Sequence, residues 1–91
     1  MTIEEFQLLD SPVHDWSALQ KSLWYDKKGD WQTAHDLIDQ LDDRKAAHVH
    51  AYLHRKEGDL WNARYWYNRA HQPVYAGDLD AEWEELFRLY F

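Results

Sequence analysis

Hydrophobic residues recur every three or four positions along most of this chain, which is the spacing of one face of an α-helix. The clearest example lies near the end of the sequence. There one face carries Leu79, Trp83, Leu86, Phe87 and Tyr90, and acidic residues fill the other face. This pattern predicts an amphipathic helix over about residues 78–91 that caps one end of a helical core.

A shorter hydrophobic pattern marks the start of the chain. Ile3 and Phe6 stand at helical spacing, and Thr2 followed by Glu5 matches the capping box that begins many helices. Pro12 then breaks the pattern, since proline disfavours helix in the residue before it. We therefore expect a short N-terminal capping helix over about residues 2–9.

Between these ends, the pattern predicts two pairs of helices, each pair joined by a Gly-Asp step. Gly29 and Gly58 can adopt the left-handed conformation that ends a helix, and Asp30 and Asp59 can cap the helix that follows. So short a connection makes the two helices antiparallel. The sequence thus predicts one hairpin over about residues 13–42 and a second over about residues 43–71.

The other helix boundaries follow from single residues. Ser11, one position before a proline, is a good start for the first hairpin, and Asp15 is an alternative. The second helix of that hairpin is expected over residues 31–41. Asp43 is expected to cap the next helix, over about residues 44–57.

The two hairpins are copies of one pattern. When Gly29 is aligned with Gly58, the copies fall into register at an offset of 29 residues, and Ala34 meets Ala63. A small side chain at that point lets the two helices of a hairpin approach closely, and two such hairpins stacked side by side bury a continuous core. We therefore predict an all-α fold, a single domain of two stacked antiparallel helical hairpins with a capping helix at each end.

This repeat carries a family resemblance. A helix that ends in Gly-Asp, followed by an apolar residue, two further residues and alanine, is similar to tetratricopeptide repeats. The stretch 63–70, with its Trp-Tyr pair, resembles the end of a Sel1-type repeat. The match covers about residues 19–70, although the copies are shorter than the usual length of about 34 residues and the first copy lacks the Trp-Tyr pair.

The repeat families imply a protein–protein interaction scaffold, which is an analogy of fold. The run from His50 to Ala70 also resembles a group of small uncharacterised bacterial proteins that contain nearly the same string. That second resemblance implies no particular activity.

Composition narrows the class of protein. The chain has 91 residues, of which 45% are hydrophobic and 16% aromatic, and this suits one densely packed domain and excludes a disordered chain. Without cysteine the chain can form neither a disulfide nor a thiolate metal site. The first residues do not resemble a signal peptide, and no apolar run approaches the roughly 20 residues that span a bilayer. We expect a cytoplasmic protein that does not associate with membranes.

The net charge of −7 argues against nucleic acid as a partner, because phosphate binding needs a cationic surface. The charge is unevenly distributed: residues 44–71 hold six Lys or Arg against two acids, while both ends of the chain are acidic. Two explanations stay open. The acidic ends fold back over this basic block, or the block forms a groove for an acidic partner.

Six histidines raise the question of a metal site. His50 and His54 stand four residues apart on a predicted helix, so both rings project from one face and could chelate a divalent metal such as zinc. His35, Asp36 or Asp39 could add a third ligand. The two cations that follow His54 disfavour a metal, and no glutamate completes a metalloprotease signature. The alternative is that the imidazoles stack between aromatic rings at the hairpin interface.

Patterns that would indicate catalysis are weak. Asp36 and Asp39, like Glu82 and Glu85, lie three residues apart on a helix face, but paired carboxylates catalyse only in a pocket that separates their pKa values. Such stripes are usually solvated. No serine lies in a nucleophile elbow, and no glycine-rich loop could bind phosphate. We expect neither enzymatic activity nor a cofactor. A small hydrolase or lyase is the third hypothesis, and it would need a pocket lined by histidine.

The remaining lead is an aromatic and basic cluster in the second hairpin. Arg55, Trp61, Arg64, Tyr65 and Arg69 lie on faces that the hydrophobic stripe does not use. Tryptophan, tyrosine and arginine dominate the hot spots of protein interfaces. The sequence therefore favours a non-catalytic interaction module whose partner is another protein with an acidic surface, or a second copy of the chain as a homodimer. The alternative buries these side chains beneath the last helix.

Overall fold

A computed structural model of the chain describes residues 1–91 and contains six α-helices and no β-strand. In chain order the helices are α1 (Ile3–Leu8), α2 (Ala18–Lys27), α3 (Trp31–Ile38), α4 (Arg44–Glu57), α5 (Leu60–Ala70) and α6 (Leu79–Tyr90). The predicted all-α class is confirmed. None of the six helices is both long enough and apolar enough to cross a lipid bilayer.

Each helix begins at a side chain that satisfies one of its free N–H groups. The residues that accept a hydrogen bond from the backbone N–H three positions later are Thr2, Ser17, Asp30, Asp43, Asp59 and Asp78. These bonds stabilise the helix starts because the first four N–H groups of a helix have no partner within it. The starts predicted at Asp30, Asp43 and Asp59 are confirmed.

The predicted start of the first hairpin, at Ser11 or Asp15, is wrong. α2 begins after Ser17, whose hydroxyl accepts from the Gln20 N–H while the Gln20 side chain accepts from the Ser17 N–H. The segment before it turns, and Trp16 stacks on Phe6 with ring centroids 5.4 Å apart. The capping box and this aromatic contact both favour the later start.

α3 ends at Ile38, three residues before the predicted end at Leu41. Asp39 is its C-cap, and two more aspartates follow Leu41. Carboxylates are unfavourable at the negative end of a helix dipole, so the helix stops before them. A turn, in which the Leu41 N–H donates to the Ile38 carbonyl at 3.0 Å, still packs Leu41 against the core.

The two Gly-Asp steps have the same backbone geometry. Gly29 and Gly58 both have φ of 89°. At the following residue, the N–H of Asp30 donates to the Tyr25 carbonyl and the N–H of Asp59 to the His54 carbonyl, both at 2.9 Å. Two separate parts of the chain thus reverse direction in the same way, as the sequence predicted.

Each reversal produces an antiparallel pair of closely packed helices. In the first pair, α2 and α3, the Ser22 hydroxyl donates to the Ala34 carbonyl at 2.7 Å. In the second pair, α4 and α5, a buried cluster joins Ala51, Ala63 and Tyr67. Ala34 is 0% exposed and Ala63 is 2% exposed, so the small residue predicted for this position does lie where the helices meet.

α4 connects the two hairpins and lies at the centre of the molecule. The indole N–H of Trp31, at the start of α3, donates to the Leu53 carbonyl of α4 at 2.8 Å. α4 also packs against α2 and α6. Every residue of α4 from Ala46 to His54 is buried.

The terminal helices α1 and α6 close the core on the side of α2. The indole N–H of Trp83 donates to the Leu23 carbonyl of α2 at 3.1 Å. Phe6 of α1 is fully buried, and its ring centroid lies 5.4 Å from that of Trp83 and 5.3 Å from that of Phe87. One aromatic cluster therefore joins the first helix to the last.

We expect Phe6→Ala to lower the free energy of unfolding by about 3–5 kcal/mol, because it removes a buried ring from a packed aromatic cluster. A small domain has a total stability of only about 5 kcal/mol or slightly more, so urea unfolding followed by circular dichroism will detect the loss. Leu8→Ala is the matched control, since Leu8 lies on the same helix but is 83% exposed. An equal effect of both substitutions would show that α1 does not pack on the core.

The end of α5 allows a second test. His71 adopts the left-handed conformation with φ of 58°, although it is not glycine. Because a Cβ atom strains this conformation, His71→Gly should raise the free energy of unfolding by about 1 kcal/mol. Gly58→Ala should lower it by a similar amount, and no atom lies within 4 Å of the added Cβ that would obscure the backbone effect. Thermal unfolding checks both, and changes of the same sign would contradict the cap geometry.

Candidate functional site

Three histidines that are separated in the sequence meet where α3 packs on α4. His35 comes from α3, and His50 and His54 come from successive turns of α4. The rings of His50 and His54 stack with centroids 4.8 Å apart, as expected for residues four apart on a helix. The His35 ring lies 4.8 Å from that of His50 and 5.3 Å from that of His54. We call these three residues the histidine cluster, and each of them was a predicted candidate ligand.

The ring nitrogens of the cluster converge. Nε2 of His35 and Nε2 of His50 are 3.1 Å apart, and one ring nitrogen from each of the three residues lies within 4.8 Å of the others. Oδ1 of Asp39, which was also a candidate ligand, lies 3.7 Å from Nε2 of His35 and 4.0 Å from Nε2 of His50. Three imidazoles therefore converge, and the Asp39 carboxylate lies beside two of them.

A carboxylate holds the third histidine. Nδ1 of His54 lies 2.6 Å from Oε1 of Glu57. An ionised carboxylate can only accept a hydrogen bond, so Nδ1 of His54 carries the proton. Nε2 is then the nitrogen with a free lone pair.

Two tryptophans enclose the cluster. The ring of Trp31 stacks on His35 with centroids 4.9 Å apart, and the ring of Trp66, from α5, stacks on His50 at 3.9 Å. Trp31 is itself held by the hydrogen bond to α4 described above. The predicted stacking of imidazoles between aromatic rings is therefore present, and it restricts the orientation of the histidines.

Burial leaves part of the cluster without hydrogen bonds. Nδ1 of His35 and Nδ1 of His50 have no hydrogen-bond partner, and Oδ1 of Asp36, at 3.8 Å from Nδ1 of His35, is too distant to provide one. His50 is 2% exposed. Its burial, together with the neighbouring rings of His54 and His35, lowers the pKa of His50 to about 4. His50 is therefore neutral at pH 7.

The two cations that follow His54 bind elsewhere. Arg55 donates to Oε1 of Glu82 at 3.0 Å and to the carbonyl of Gly77, and Lys56 donates to Oδ1 of Asp26 at 2.9 Å. Arg55 was predicted to belong to an exposed interaction surface, but its side chain is mostly buried beside α6. For Arg55, the explanation that an acidic end folds over the basic block is the correct one.

The sequence predicted that Glu82 lies on a solvated acidic stripe, and that prediction is wrong. Glu82 is fully buried and accepts hydrogen bonds from Arg55 and from the hydroxyl of Tyr67. Burial raises the pKa of Glu82. The signal was present in the helical pattern, since Glu82 lies three residues after Leu79 and four before Leu86, within the hydrophobic face of α6.

Asp26 is a second buried carboxylate that sequence reasoning missed. It is 2% exposed and accepts from the Tyr52 hydroxyl at 2.6 Å as well as from Lys56. Its position three residues after Leu23 also lies on a buried face. Neither carboxylate contacts the histidine cluster, and both instead join α4 to its neighbours.

The other four residues predicted for an interaction surface lie together on the exposed side of α5. Trp61 is 75% exposed and Tyr65 is 47% exposed, while Arg64 and Arg69 are exposed beside them. Leu60, at 54% exposed, extends the same surface. We call these five residues the α5 outer face: Leu60, Trp61, Arg64, Tyr65 and Arg69. The alternative that α6 buries these aromatic residues is wrong.

A surface groove lies away from both sites. It has a volume of about 790 Å³ and runs along the first turns of α2 and α4 and the end of α6, with Leu41, Arg44 and Tyr90 among its walls. No histidine lines it. This groove therefore gives no support to the hypothesis of a small hydrolase or lyase with a histidine-lined pocket, which stays a prediction.

Comparison with known proteins assigns neither a family nor a function. No protein-family model, no curated protein and no solved structure matches this chain. The chemistry and geometry of the two sites are therefore the basis for a functional proposal.

The low pKa of His50 predicts a loss of stability in mild acid. An unfolded chain has a histidine pKa of about 6.5, so between that pH and about pH 4 the unfolded state binds a proton that the folded state does not. The stability contributed by neutral His50 is complete above pH 6.5 and falls as the pH decreases, by about 3 kcal/mol over the whole window. Urea unfolding at several pH values, with a chelator present, measures this slope.

Two variants identify the residue responsible for the slope. His50→Gln should flatten the dependence of unfolding free energy on pH, and the buried His48, whose pKa is also lowered by desolvation, should maintain a smaller slope. His14→Gln should change nothing, because the His14 side chain is 99% exposed. An unchanged slope in His50→Gln would contradict the predicted role of this residue.

Proposed function

We propose that this protein is a non-catalytic interaction module, built from two stacked helical hairpins of tetratricopeptide and Sel1 type, whose α5 outer face binds an acidic segment of another protein. The observation that carries the proposal is the 75% exposure of Trp61 beside two arginines that form no ion pair.

Support for this type of stack comes from the repeated hinge. Gly29-Asp30 and Gly58-Asp59 have the same conformation, and a buried alanine follows each hinge at the same distance. In a stack of helical hairpins, each unit buries its hydrophobic face only against a neighbour, and the last unit leaves one face open. α5 is the second helix of the last hairpin, so its outer face is the open one.

The exposed aromatic residues are a source of binding energy. The inner side of α5 packs on α4 through Ala63 and Tyr67, whereas Trp61 and Tyr65 remain in water on the other side. Burial of apolar surface contributes about 25 cal/mol per Å², and tryptophan, tyrosine and arginine are the residues that dominate interface hot spots. The face combines all three types.

Charge favours an acidic partner over self-pairing. α5 contains no acidic residue, and Arg64 and Arg69 are exposed without a carboxylate partner. The guanidinium of Arg69 lies 5.1 Å from the ring of Trp66 and 5.8 Å from that of Tyr65, an arrangement that presents a cation beside aromatic surface. A two-fold dimer through this face would place arginines opposite arginines. An acidic segment with an apolar anchor complements the face instead.

We expect Trp61→Ala and the double variant Arg64→Glu/Arg69→Glu each to weaken partner binding about tenfold or more, because hot-spot residues contribute about 2 kcal/mol or more. A photo-crosslinking residue at Asn68, which is exposed on α5, would first trap and identify the partner. Titration of the purified partner then measures the affinities of the wild type and both variants. Binding should weaken as salt concentration rises.

Lys45→Glu is the matched control, since Lys45 is an exposed cation on α4 outside this face. All these side chains are exposed, so the folds should stay intact within about 0.5 kcal/mol. If the trapped partner binds the α5 variants as tightly as the wild type, or if Lys45→Glu weakens binding equally, the assignment of this face is wrong. Trapping only of a second copy of the chain would also contradict the proposal.

A further inference from the structure

We propose that the histidine cluster, with Asp39 as a fourth ligand, binds one zinc-class divalent cation that ties α3 to α4 and so joins the two hairpins. This site lies behind the α5 outer face and goes beyond the interaction module proposed above.

The distances suit a tetrahedral site. A zinc–nitrogen bond of about 2.0–2.1 Å places two ligand atoms of a tetrahedral site about 3.3 Å apart. The Nε2 atoms of His35 and His50 are 3.1 Å apart, and Oδ1 of Asp39 lies 3.7 Å and 4.0 Å from them. One ring nitrogen of His54 lies within 4.8 Å of the nitrogens of the other two histidines, so a movement of the His54 side chain would be needed to complete the set.

The hydrogen bonds orient one ligand and bring two others together. Glu57 accepts the Nδ1 proton of His54, which directs the Nε2 lone pair of the neutral ring to a metal in the manner of a carboxylate–histidine–zinc triad. The Nε2 atoms of His35 and His50 face each other at 3.1 Å, so without a metal one ring donates a hydrogen bond to the other. A cation between them would replace this hydrogen bond and accept the lone pairs of both rings, with each ring proton on Nδ1.

Without a ligand, the burial of the His50 imidazole costs free energy. It is 2% exposed, and its Nδ1 has no hydrogen-bond partner. A buried polar group normally has a partner, because desolvation without one costs free energy. A metal bond at Nε2 would leave Nδ1 without a partner, but it would contribute free energy against the burial of the ring. It would also account for an imidazole in a helix interior where an apolar side chain would otherwise pack.

The surrounding charge favours a cation. Asp36, Asp39, Glu57 and Asp59 are the carboxylates nearest to the cluster. The cations that follow His54 in the sequence form ion pairs with Glu82 and Asp26, which do not belong to the cluster. Because their side chains form ion pairs outside the cluster, these cations no longer argue against a metal site.

The ligand set indicates the class of metal. Three imidazoles and one carboxylate, without thiolate, suit zinc and its neighbours cobalt and nickel better than magnesium or calcium, which require mainly oxygen ligands. Four protein ligands close the coordination sphere, and closed sites are structural. Because His35 and Asp39 come from the end of the first hairpin and the other two ligands from the second, the metal would cross-link the hairpins.

The test uses the full chain after removal of metals with a chelator. We expect calorimetric titration with zinc to show one equivalent bound, and the midpoint of thermal unfolding to rise, because the unfolded chain lacks the assembled site. Cobalt(II) should give the intense visible absorption of a tetrahedral site. His35→Gln should weaken zinc binding about 100-fold or more, since even outer-shell groups contribute 10–100-fold, and Asp39→Asn should weaken it about tenfold.

His14→Gln is the matched control and should bind zinc like the wild type, because His14 lies far outside the cluster on the surface. Far-ultraviolet circular dichroism establishes that each variant is folded. If His35→Gln does not fold, Asp39→Asn decides, since the Asp39 side chain is 43% exposed. The proposal is overturned if wild type shows neither heat nor a shift in unfolding midpoint with excess zinc, or if the cluster variants bind as tightly as the control.

Discussion

The burial of α4 on nearly every side is the constraint on which the rest of the structure depends. Nine consecutive residues, Ala46 to His54, are buried, although four of them carry polar side chains. Each of these four side chains has at least one hydrogen-bond partner, although Nδ1 of His50 has none. Most partners come from a different element: Tyr90 of α6 for His48, His35 of α3 for His50, Asp26 of α2 for Tyr52, and Glu57 for His54. A central helix of this kind determines where its neighbours must lie, because buried donors and acceptors without partners are costly.

The same constraint divides the basic charges of the second hairpin into two groups. Arg55 and Lys56, at the end of α4, compensate carboxylates that the core has buried, Glu82 and Asp26. These ion pairs fix the position of α6 and α2 relative to α4. Arg64 and Arg69 project from α5 into solvent. One stretch of sequence thus supplies cations for the core from one helix and cations for a surface from the next.

Features set by neighbouring residues were predictable from the sequence, and features set by distant contacts were not. The Gly-Asp hinges, the Asp43 cap and the bounds of α4 depend on local capping and dihedral preferences, and all are as predicted. The start of α2 was predicted wrongly because it also depends on the contact of Trp16 with Phe6. Within the candidate site, the spacing of His50 and His54 was a local signal, and the approach of His35 followed from the predicted hairpin. The direction of Arg55 depends on how α6 packs, which no local pattern encodes, whereas the burial of Glu82 was predictable from its place within the hydrophobic face of α6.

Trp66 contacts both proposed sites. Its ring stacks on His50 at 3.9 Å, and the guanidinium of Arg69 lies 5.1 Å from the same ring. A ligand that shifted this indole from the side of α5 would change the packing of the imidazole behind it, and a ligand of the imidazoles would change the support beneath Arg69. Thermodynamic linkage requires such an effect to be reciprocal, so that each ligand would alter the affinity for the other by the same factor. A single aromatic ring would in this way couple the interior of this small domain to its surface.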